Sequence, residues 1–203
     1  MNAGLPIAQD GMRIGLLGGS FDPPHEGHVN ITEAALRRFR LDRVWWLVSP
    51  GNPLKTQGPA PLAQRIKAAR DLVQDPRVVV TDLETRLGTR MTADTIDAVR
   101  GRWRGGRFVW LMGSDNLVQF HRWDRWRDIA SSVPIGVLAR PGTRTAARHS
   151  VTAKILERYR LPVAEAVTLA DRAPPAWVLV NLPMSPHSST ALRAARGQKA
   201  GEP

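Results

Sequence analysis

The chain has 203 residues, no cysteine and a formal net charge of +11 at pH 7. The length fits one α/β domain, so we predict a single domain over residues 1–203 with flexible tails at 1–11 and 197–203. The lack of cysteine excludes disulfides and thiolate metal sites. The sequence has no signal-peptide pattern and no apolar run near the roughly 20 residues that span a bilayer, so we expect a cytoplasmic protein without a membrane partner.

The basic charge leaves two classes of partner open. A basic protein can bind nucleic acid through its phosphates, or it can draw small anionic substrates into a cleft. The arginines are scattered, with groups at 37–43, 100–107 and 122–127, and they form no basic helix, zinc-finger spacing or aromatic RNA-binding motif. We therefore predict no nucleic-acid partner, and a basic nucleic-acid-binding module remains the non-enzymatic alternative.

The first predicted strand, 14–17, leads into a loop, and helical spacing follows over 29–39. The loop reads Gly18-Gly19-Ser20-Phe21-Asp22-Pro23-Pro24-His25-Glu26-Gly27-His28. Glycines let a backbone approach a ligand and adopt conformations closed to other residues, and free amides at a helix N-terminus favour an anion. The two histidines, three residues apart, can face the same bound oxygens. One histidine alone could cap a turn, but the pair beside two glycines predicts a phosphate site.

This loop resembles the G-G-[ST]-F-D-P-x-H-x-G-H signature of the nucleotidyltransferase superfamily, and within it the nicotinate-nucleotide adenylyltransferases. The resemblance implies a three-layer α/β/α fold with a Rossmann-like, doubly wound, mostly parallel sheet. It also implies a catalytic role for His25 and His28, and a mononucleotide contact from Ser20. The ATP contacts that it implies in this loop are Gly18, Gly19, Ser20, Phe21, His25, Gly27 and His28.

An apolar run over 43–49 predicts a parallel strand that is covered on both faces. The turn-rich loop after it, 50–55, would lie at the carboxyl end of that strand, where open α/β sheets bind ligands. Asn52 and Lys55 are therefore candidate substrate contacts, and an ordinary surface loop is the alternative. The resemblance implies that this loop serves the mononucleotide side of the site.

A helix over 61–73 and a short strand over 78–80 come next. A further helix begins near Thr92, whose hydroxyl is a suitable N-cap that would leave backbone amides free in the cleft. The resemblance assigns this region to the nicotinate pocket, where backbone amides receive the pyridine carboxylate. Met91 stands where the family often has tyrosine, so only the backbone role is implied there.

Another buried strand, 108–112, runs directly into residues 113–123. An aspartate two residues past a strand-ending glycine can accept a hydrogen bond from a ribose hydroxyl. A tryptophan can stack on a heteroaromatic ring, although tryptophan more often packs in a core. The segment resembles the family's G-x-D-x-x-x-x-F-x-x-W pattern. This implies that Gly113 and Asp115 contact ATP and that Trp123 stacks on the pyridine; we expect no role for His121.

The rest of the chain predicts a short helix over 126–130, a strand over 134–139 and a last strand over 177–182, with little pattern over 143–173. A second motif follows over 184–193. Its hydroxyls can cap a helix, and Arg193 lies one turn in; an ordinary capping box would instead carry Glu or Gln. The stretch resembles the superfamily's [IS]-S-[ST]-x-x-R motif, which implies ATP contacts from Ser188, Ser189, Thr190 and Arg193 and catalysis by Arg193.

Together the motifs imply adenylyl transfer from ATP to nicotinate mononucleotide, in NAD biosynthesis, with release of pyrophosphate. We expect Mg²⁺ to be bound mainly through the ATP phosphates, since the sequence has no clustered carboxylates. The alternatives are a related enzyme that uses nicotinamide mononucleotide or phosphopantetheine. The phosphopantetheine group usually has threonine in place of His25 and lacks the Trp123 segment. Either a monomer or a homo-oligomer is compatible with the sequence.

Overall fold

A computed structural model describes residues 4–51, 58–139 and 142–182 of the chain. Within these residues, six strands form one sheet. They are β1 (Arg13–Gly19), β2 (Arg43–Val48), β3 (Val78–Thr81), β4 (Arg107–Gly113), β5 (Ile135–Ala139) and β6 (Trp177–Asn181).

The strand order across the sheet is β3-β2-β1-β4-β5-β6, and every neighbouring pair is parallel. The chain therefore builds outward from β1 in one direction, through β2 and β3, and then returns to build outward from β1 in the other. This is the order of a doubly wound nucleotide-binding sheet, and it opens a crevice where the order reverses, beyond the carboxyl ends of β1 and β4. The predicted fold class is confirmed, with a sheet that is parallel throughout.

Helices cover both faces of this sheet. They are α1 (Glu26–Arg38), α2 (Leu62–Leu72), α3 (Leu83–Leu87), α4 (Thr92–Arg102), α5 (Ser114–Gln119), α6 (Trp126–Ser132), α7 (Arg144–Arg148) and α8 (Val151–Ile155), with 3-10 turns over Phe120–Arg122, Glu157–Tyr159 and Val163–Asp171. Among the helices described, none is both long and apolar enough to cross a membrane.

The continuous apolar sequence of β2 has a direct structural cause. Trp45 and Leu47 pack in the core on one face of the sheet, which contains residues of α4, α5 and α6. Trp46 and Val48 pack in the core on the other face, which contains residues of α1 and α2. Side chains alternate across a strand, so a strand buried on both faces needs an apolar residue at every position.

Several element boundaries differ from those expected from sequence. Strand β1 continues through Gly19, and α1 begins at Glu26 rather than Val29. Helices α3 and α5 were not expected, and the weak helical spacing at 155–159 did not predict α7, α8 and the 3-10 turns within 143–173 as separate elements. Each of these helices spans five or six residues. Such segments are too short to show a helical repeat, and tertiary packing stabilises them instead.

Candidate active site

A cavity of about 470 Å³ opens at the carboxyl edge of the sheet. It lies where the strand order reverses, so the ends of β1 and β4 and the loops after β2 and β3 all reach it. The lining residues are Gly18, Gly19, Ser20, Ser49, Gly51, Glu84, Arg90, Met91, Thr92, Trp110, Asn116, Arg122, Trp123 and Asp124. Five of the residues predicted from sequence are therefore brought together here, namely Gly18, Gly19, Ser20, Thr92 and Trp123.

The two glycines of the first motif belong to β1 and not to the loop. Neither has a positive φ, so the expectation that they adopt conformations closed to other residues is wrong. What Gly18 provides is space, because a Cβ there would lie 2.7 Å from Cη2 of the Trp110 indole. A Cβ at Gly19 would lie 3.3 Å from the Phe21 ring. The missing side chains keep the end of β1 open to the cavity.

The left-handed conformation occurs instead at Phe21, with φ of 48°. Its ring is fully buried and stacks on Trp46 at a centroid distance of 4.8 Å. It also contacts the His28 ring, with centroids 4.6 Å apart. A positive φ is costly for an aromatic residue, and this packing offsets the cost. The Phe21 side chain therefore supports the loop from inside the core, which leaves its backbone for the ATP contact predicted from sequence.

The two histidines lie together at the start of α1. His25 is the N-cap residue and only 4% exposed, whereas His28 is half-buried. Their ring centroids are 4.0 Å apart, and the His25 amide donates to His28 Nδ1 at 3.3 Å. Because Nδ1 accepts this hydrogen bond, a neutral His28 ring carries its proton on Nε2. Buried Gly27 lies between them, in the first turn of the helix.

A short chain of hydrogen bonds fixes this end of α1 against the sheet. The Thr32 hydroxyl donates to the His28 carbonyl at 2.8 Å, and the Trp46 indole donates to the Thr32 hydroxyl at 2.7 Å. Thr32 and Trp46 are both buried, so the contacts are shielded from water. The histidine pair is therefore held by β2 as well as by its own helix.

Arg65 of α2 is a structural residue of the site that sequence reasoning missed. It is only 2% exposed, and its guanidinium donates to four backbone carbonyl oxygens. These belong to Ser20 at 2.5 Å, Ala60 at 2.6 Å, Ser49 at 2.8 Å and Pro50 at 3.4 Å. One side chain thus joins the loop after β1 to the loop after β2. Ser20 and Ser49 both line the cavity, so Arg65 fixes the relative position of two loops that border it.

The charge of Arg65 has a partner nearby. Burial lowers the pKa of the Arg65 guanidinium, and the Asp22 carboxylate offsets part of that effect. Asp22 also accepts a hydrogen bond from the Ala60 amide at 3.3 Å. The signal in the sequence was an arginine that interrupts the apolar stripe of α2 formed by Leu62, Ile66 and Ala69.

The N-terminus of α4 forms another wall of the cavity. The N-cap residue is Met91 and not Thr92, so the predicted hydroxyl cap is wrong by one position. Both residues still line the cavity. The Met91 carbonyl accepts from the amide of Thr95 at 3.0 Å and from its hydroxyl at 3.1 Å, and the Thr95 hydroxyl also bonds that of Thr89 at 2.8 Å. The Thr95 side chain therefore ties the N-cap residue of α4 to Thr89, in the segment after α3.

Glu84, in the first turn of α3, is the second residue that sequence reasoning missed. It lines the cavity although it is only 5% exposed. Its Oε2 is fully buried and makes no hydrogen bond to any residue that the structure describes. Burial raises the pKa of Glu84 to about 7. The sequence signal was a carboxylate three positions past a strand, at the ligand-binding edge of the sheet.

The predicted ribose contact, Asp115, lies two residues past the end of β4. Gly113 ends β4 and caps α5, and Asp115 is exposed in the first turn of that helix. A Cβ at Gly113 would lie 2.4 Å from Asp115 Oδ1, so the glycine lets this carboxylate fold back over the strand end. Asp115 is not among the residues that line the cavity, whereas its neighbour Asn116 is.

Trp123 forms the aromatic wall of the cavity. It is half-buried, and its ring packs edge to face against Trp110 and Phe120, with centroids 6.4 Å and 5.3 Å away. This packing fixes the plane of the indole and is worth about 0.5–1.5 kcal/mol per pair beyond the area buried. The His121 amide donates to the Thr152 hydroxyl at 3.1 Å, so that residue is tied to α8.

Six predicted site residues lie outside the residues that the structure describes. They are Asn52, Lys55, Ser188, Ser189, Thr190 and Arg193. Across 4–51, 58–139 and 142–182, no group of three or more His, Cys, Asp or Glu side chains could hold a metal ion.

Comparison with known proteins identifies relatives over almost the whole chain. Residues 16–195 match the family model described as Cytidylyltransferase-like. A protein of Roseobacter denitrificans named "Probable nicotinate-nucleotide adenylyltransferase" is 58% identical over 197 residues, which cover 97% of this chain and 99% of that protein. A protein of the same name from Ruegeria pomeroyi is 56% identical over 202 residues, covering 100% of this chain and 95% of the relative.

A solved structure shares the fold. Plasmodium falciparum nicotinic acid mononucleotide adenylyltransferase complexed with NaAD superimposes with a TM-score of 0.69, covering 90% of this chain and 83% of that one. The two sequences are 16% identical, so this likeness shows the fold alone.

Proposed function

The chain belongs to the cytidylyltransferase-like family and, within it, to the nicotinate-nucleotide adenylyltransferases, and from this membership we propose that it joins ATP and nicotinate mononucleotide. The products are nicotinate adenine dinucleotide and pyrophosphate, so the enzyme acts in NAD biosynthesis. The observation that carries this proposal is the cavity at the β1 and β4 ends. Its lining combines Gly18, Gly19 and Ser20 of the first motif with the aromatic side chain of Trp123, which supports a site for a nucleotide and a pyridine ring.

The proposed reaction needs no nucleophile from the protein. A phosphate oxygen of the mononucleotide attacks the α-phosphorus of ATP. The bond from that phosphorus to the bridging oxygen breaks, and pyrophosphate leaves with the electron pair. The attacking phosphate is ionised near neutral pH, so no general base is required. Catalysis then depends on holding two anions in line and stabilising the charge that develops on the bridging oxygen.

We assign the phosphate contacts to the start of α1. The N-terminus of this 13-residue helix favours an anion, and His25 and His28 lie there with their rings 4.0 Å apart. With its proton on Nε2, a neutral His28 can donate to a phosphate oxygen. Gly18, Gly19, Ser20 and Gly27 let the ATP phosphates approach the backbone. Gly113 and Asp115 are proposed to contact the nucleotide at the end of β4.

We assign further phosphate contacts to the second motif from sequence, since it lies outside the described residues. Ser188, Ser189 and Thr190 would bind phosphate oxygens, and Arg193 would neutralise the charge of the departing pyrophosphate. Their assignment depends on the sequence resemblance.

We assign the mononucleotide to the other half of the cavity. The pyridine ring would stack on Trp123, whose plane is fixed by Trp110 and Phe120. The ring carboxylate would bind at the N-terminus of α4, where Thr92 is the first helical residue and the first amides lack partners within the helix. Ser20, Asn52 and Lys55 remain proposed contacts of the mononucleotide.

We propose that Mg²⁺ binds with ATP, mainly through its β- and γ-phosphates. Magnesium usually keeps several waters and binds through substrate phosphates plus one or two carboxylates. When bound, it would neutralise part of the phosphate charge.

A pyrophosphate-release assay tests this function. The purified protein is given ATP and Mg²⁺ with nicotinate mononucleotide, nicotinamide mononucleotide or phosphopantetheine in parallel. We expect the highest kcat/KM with nicotinate mononucleotide. Release only with phosphopantetheine, or no release with any acceptor together with salt-sensitive binding to duplex DNA, would contradict the proposal.

A further inference from the structure

The buried carboxyl group of Glu84 has no role in the proposed adenylyl transfer. The residue lines the cavity, yet 95% of its surface is covered and its Oε2 lacks a hydrogen-bond partner among the described residues. Leaving a polar group in this state costs roughly 1–3 kcal/mol. The Glu84 backbone is engaged, since its carbonyl accepts from the Thr89 amide at 2.9 Å. Its Oε2 can therefore form a hydrogen bond with a ligand in the cavity.

The surroundings of Glu84 favour the neutral acid. Helix α3 packs against β2 and α4, and β2 contributes apolar residues to that core. Asp82, the N-cap residue of α3, and Arg86 of that helix pair with each other at 2.5 Å. The other charged side chains that line the cavity, within the described residues, are Arg90, Arg122 and Asp124. None of these makes a hydrogen bond or ion pair to Glu84 that would hold it ionised.

We infer that Glu84 is a specificity-determining residue of the mononucleotide site, and this rests on the proposed function. Its neutral carboxyl group donates a hydrogen bond to the ring carboxylate of nicotinate mononucleotide, and its ionised form repels that carboxylate. Glu84, Met91 and Thr92 line the same cavity, and α3 packs against α4, which begins at Thr92. An amide ring substituent carries no charge, so ionised Glu84 does not repel nicotinamide mononucleotide.

This assignment predicts a substrate preference that changes with pH. Burial raises the pKa of Glu84 to about 7, so the neutral form prevails below that pH and the ionised form above it. The ratio of kcat/KM for the acid to kcat/KM for the amide should therefore fall as pH rises. If only the neutral form accepts the acid, the ratio falls roughly tenfold or more between about pH 6 and 8.5.

The ratio is a clean measurement because the two mononucleotides differ only in the ring substituent. Titration of their phosphates, of ATP and of the histidines changes kcat/KM for both mononucleotides alike and therefore cancels in the ratio. Glu84→Gln keeps the shape and a permanent donor, so its ratio should favour the acid and stay constant with pH. The matched control is Glu157→Gln, which changes a glutamate whose side chain is 64% exposed, in the 3-10 turn after α8. It should keep the wild-type pH dependence.

Two results would overturn the role of Glu84 while leaving the proposed function intact. They are a ratio in the wild-type enzyme that does not change with pH, and a Glu84→Gln variant that keeps the wild-type dependence. If neither mononucleotide supports pyrophosphate release by the wild-type protein, both proposals fail.

A second measurement needs no variant, in case Glu84→Gln does not fold. Calorimetric titration of the wild-type protein at pH 7.5, in buffers with different ionisation enthalpies, reports protons taken up on binding. Nicotinate mononucleotide should bind with greater proton uptake than nicotinamide mononucleotide. Equal uptake for the two ligands would overturn the proposal.

Discussion

The guanidinium of Arg65 donates a 2.5 Å hydrogen bond to the carbonyl oxygen of Ser20, which lies 45 positions earlier in the chain. The same guanidinium reaches Ser49, at the end of β2, at 2.8 Å. Two loops that form the cavity wall are therefore joined by one buried cation from outside both of them. Their relative position depends on the planar guanidinium, which can donate in several directions at once.

Replacing Arg65 should weaken both the fold and the site. Arg65→Met leaves four carbonyl oxygens without their donor. We expect a loss of about 3 kcal/mol in the free energy of unfolding, because hydrogen bonds to charged groups contribute about 1.5–3 kcal/mol each and water replaces some of them. Arg65→Lys should be intermediate. Urea unfolding and KM for ATP measure the two effects. Arg70→Met, an exposed change on the same helix, is the control; equal losses in both variants would contradict this role.

Removing a phosphate donor should lower turnover with little effect on KM. We expect His28→Ala and Arg193→Ala each to lower kcat by about a hundredfold or more, since one preorganised donor contributes roughly 3–4 kcal/mol in the transition state. Pyrophosphate release measures the rate, and thermal melting checks the fold. The control is His149→Ala, which changes an exposed histidine at the end of α7 and should leave activity at the wild-type level. A folded His28→Ala enzyme with wild-type kcat would remove His28 from the mechanism.

A methyl group at Gly18 should disturb the core beneath the site. It would lie 2.7 Å from the indole of Trp110, which is buried and cannot move freely. We expect Gly18→Ala to destabilise the protein by about 1–3 kcal/mol, as overpacking does. Gly101→Ala is the matched control, because a Cβ there meets nothing within 4 Å and alanine favours the helix. The denaturant concentration at the midpoint of unfolding should fall for Gly18→Ala and rise for Gly101→Ala.

Loss of the aromatic wall should affect one substrate more than the other. We expect Trp123→Ala to raise KM for the mononucleotide about threefold to tenfold, from the loss of about 0.5–1.5 kcal/mol of ring packing. KM for ATP should change less, and Trp123→Phe should recover part of the loss. Initial rates with one substrate saturating separate the two constants. An equal rise in both KM values would argue against pyridine stacking at this residue.

The ionisation of Glu84 should appear in the stability of the free protein. Burial raises the pKa of Glu84 from 4.5 to about 7, so the folded protein binds an extra proton between these values. Stability from this group is fully present below pH 4.5 and is lost as pH rises through about 7. The free energy of unfolding of Glu84→Gln, relative to that of the wild type, should therefore rise by about 3 kcal/mol from about pH 5 to about pH 8. Urea unfolding at about pH 5 and about pH 8 measures this change. The control Glu157→Gln should show the same pH dependence of stability as the wild type.

The local features of this chain could be predicted because their causes are close in sequence. Strand β2 is apolar from Val44 to Val48 since both of its faces are covered there, and that pattern is visible in five consecutive residues. The pairing of His25 with His28 follows from three-residue spacing at a helix entrance. Helix capping extended this reasoning to Thr92 and a family motif extended it to Trp123, and the fold brings both residues to one cavity.

Tertiary structure alone decided which distant groups meet. The sequence marks Gly18 as unusual, but the reason is the Trp110 indole on a neighbouring strand and not a turn. Nothing around Arg65 reveals that its partners lie 15, 16 and 45 positions earlier, and the place of Glu84 three positions past β3 does not reveal that its Oε2 is buried without a partner among the described residues. Periodicity reports which face of an element is apolar, because that depends on local geometry. Burial of a charge and its partners depends on the packing of separate elements, and this is fixed only when the sheet and its two helical layers assemble.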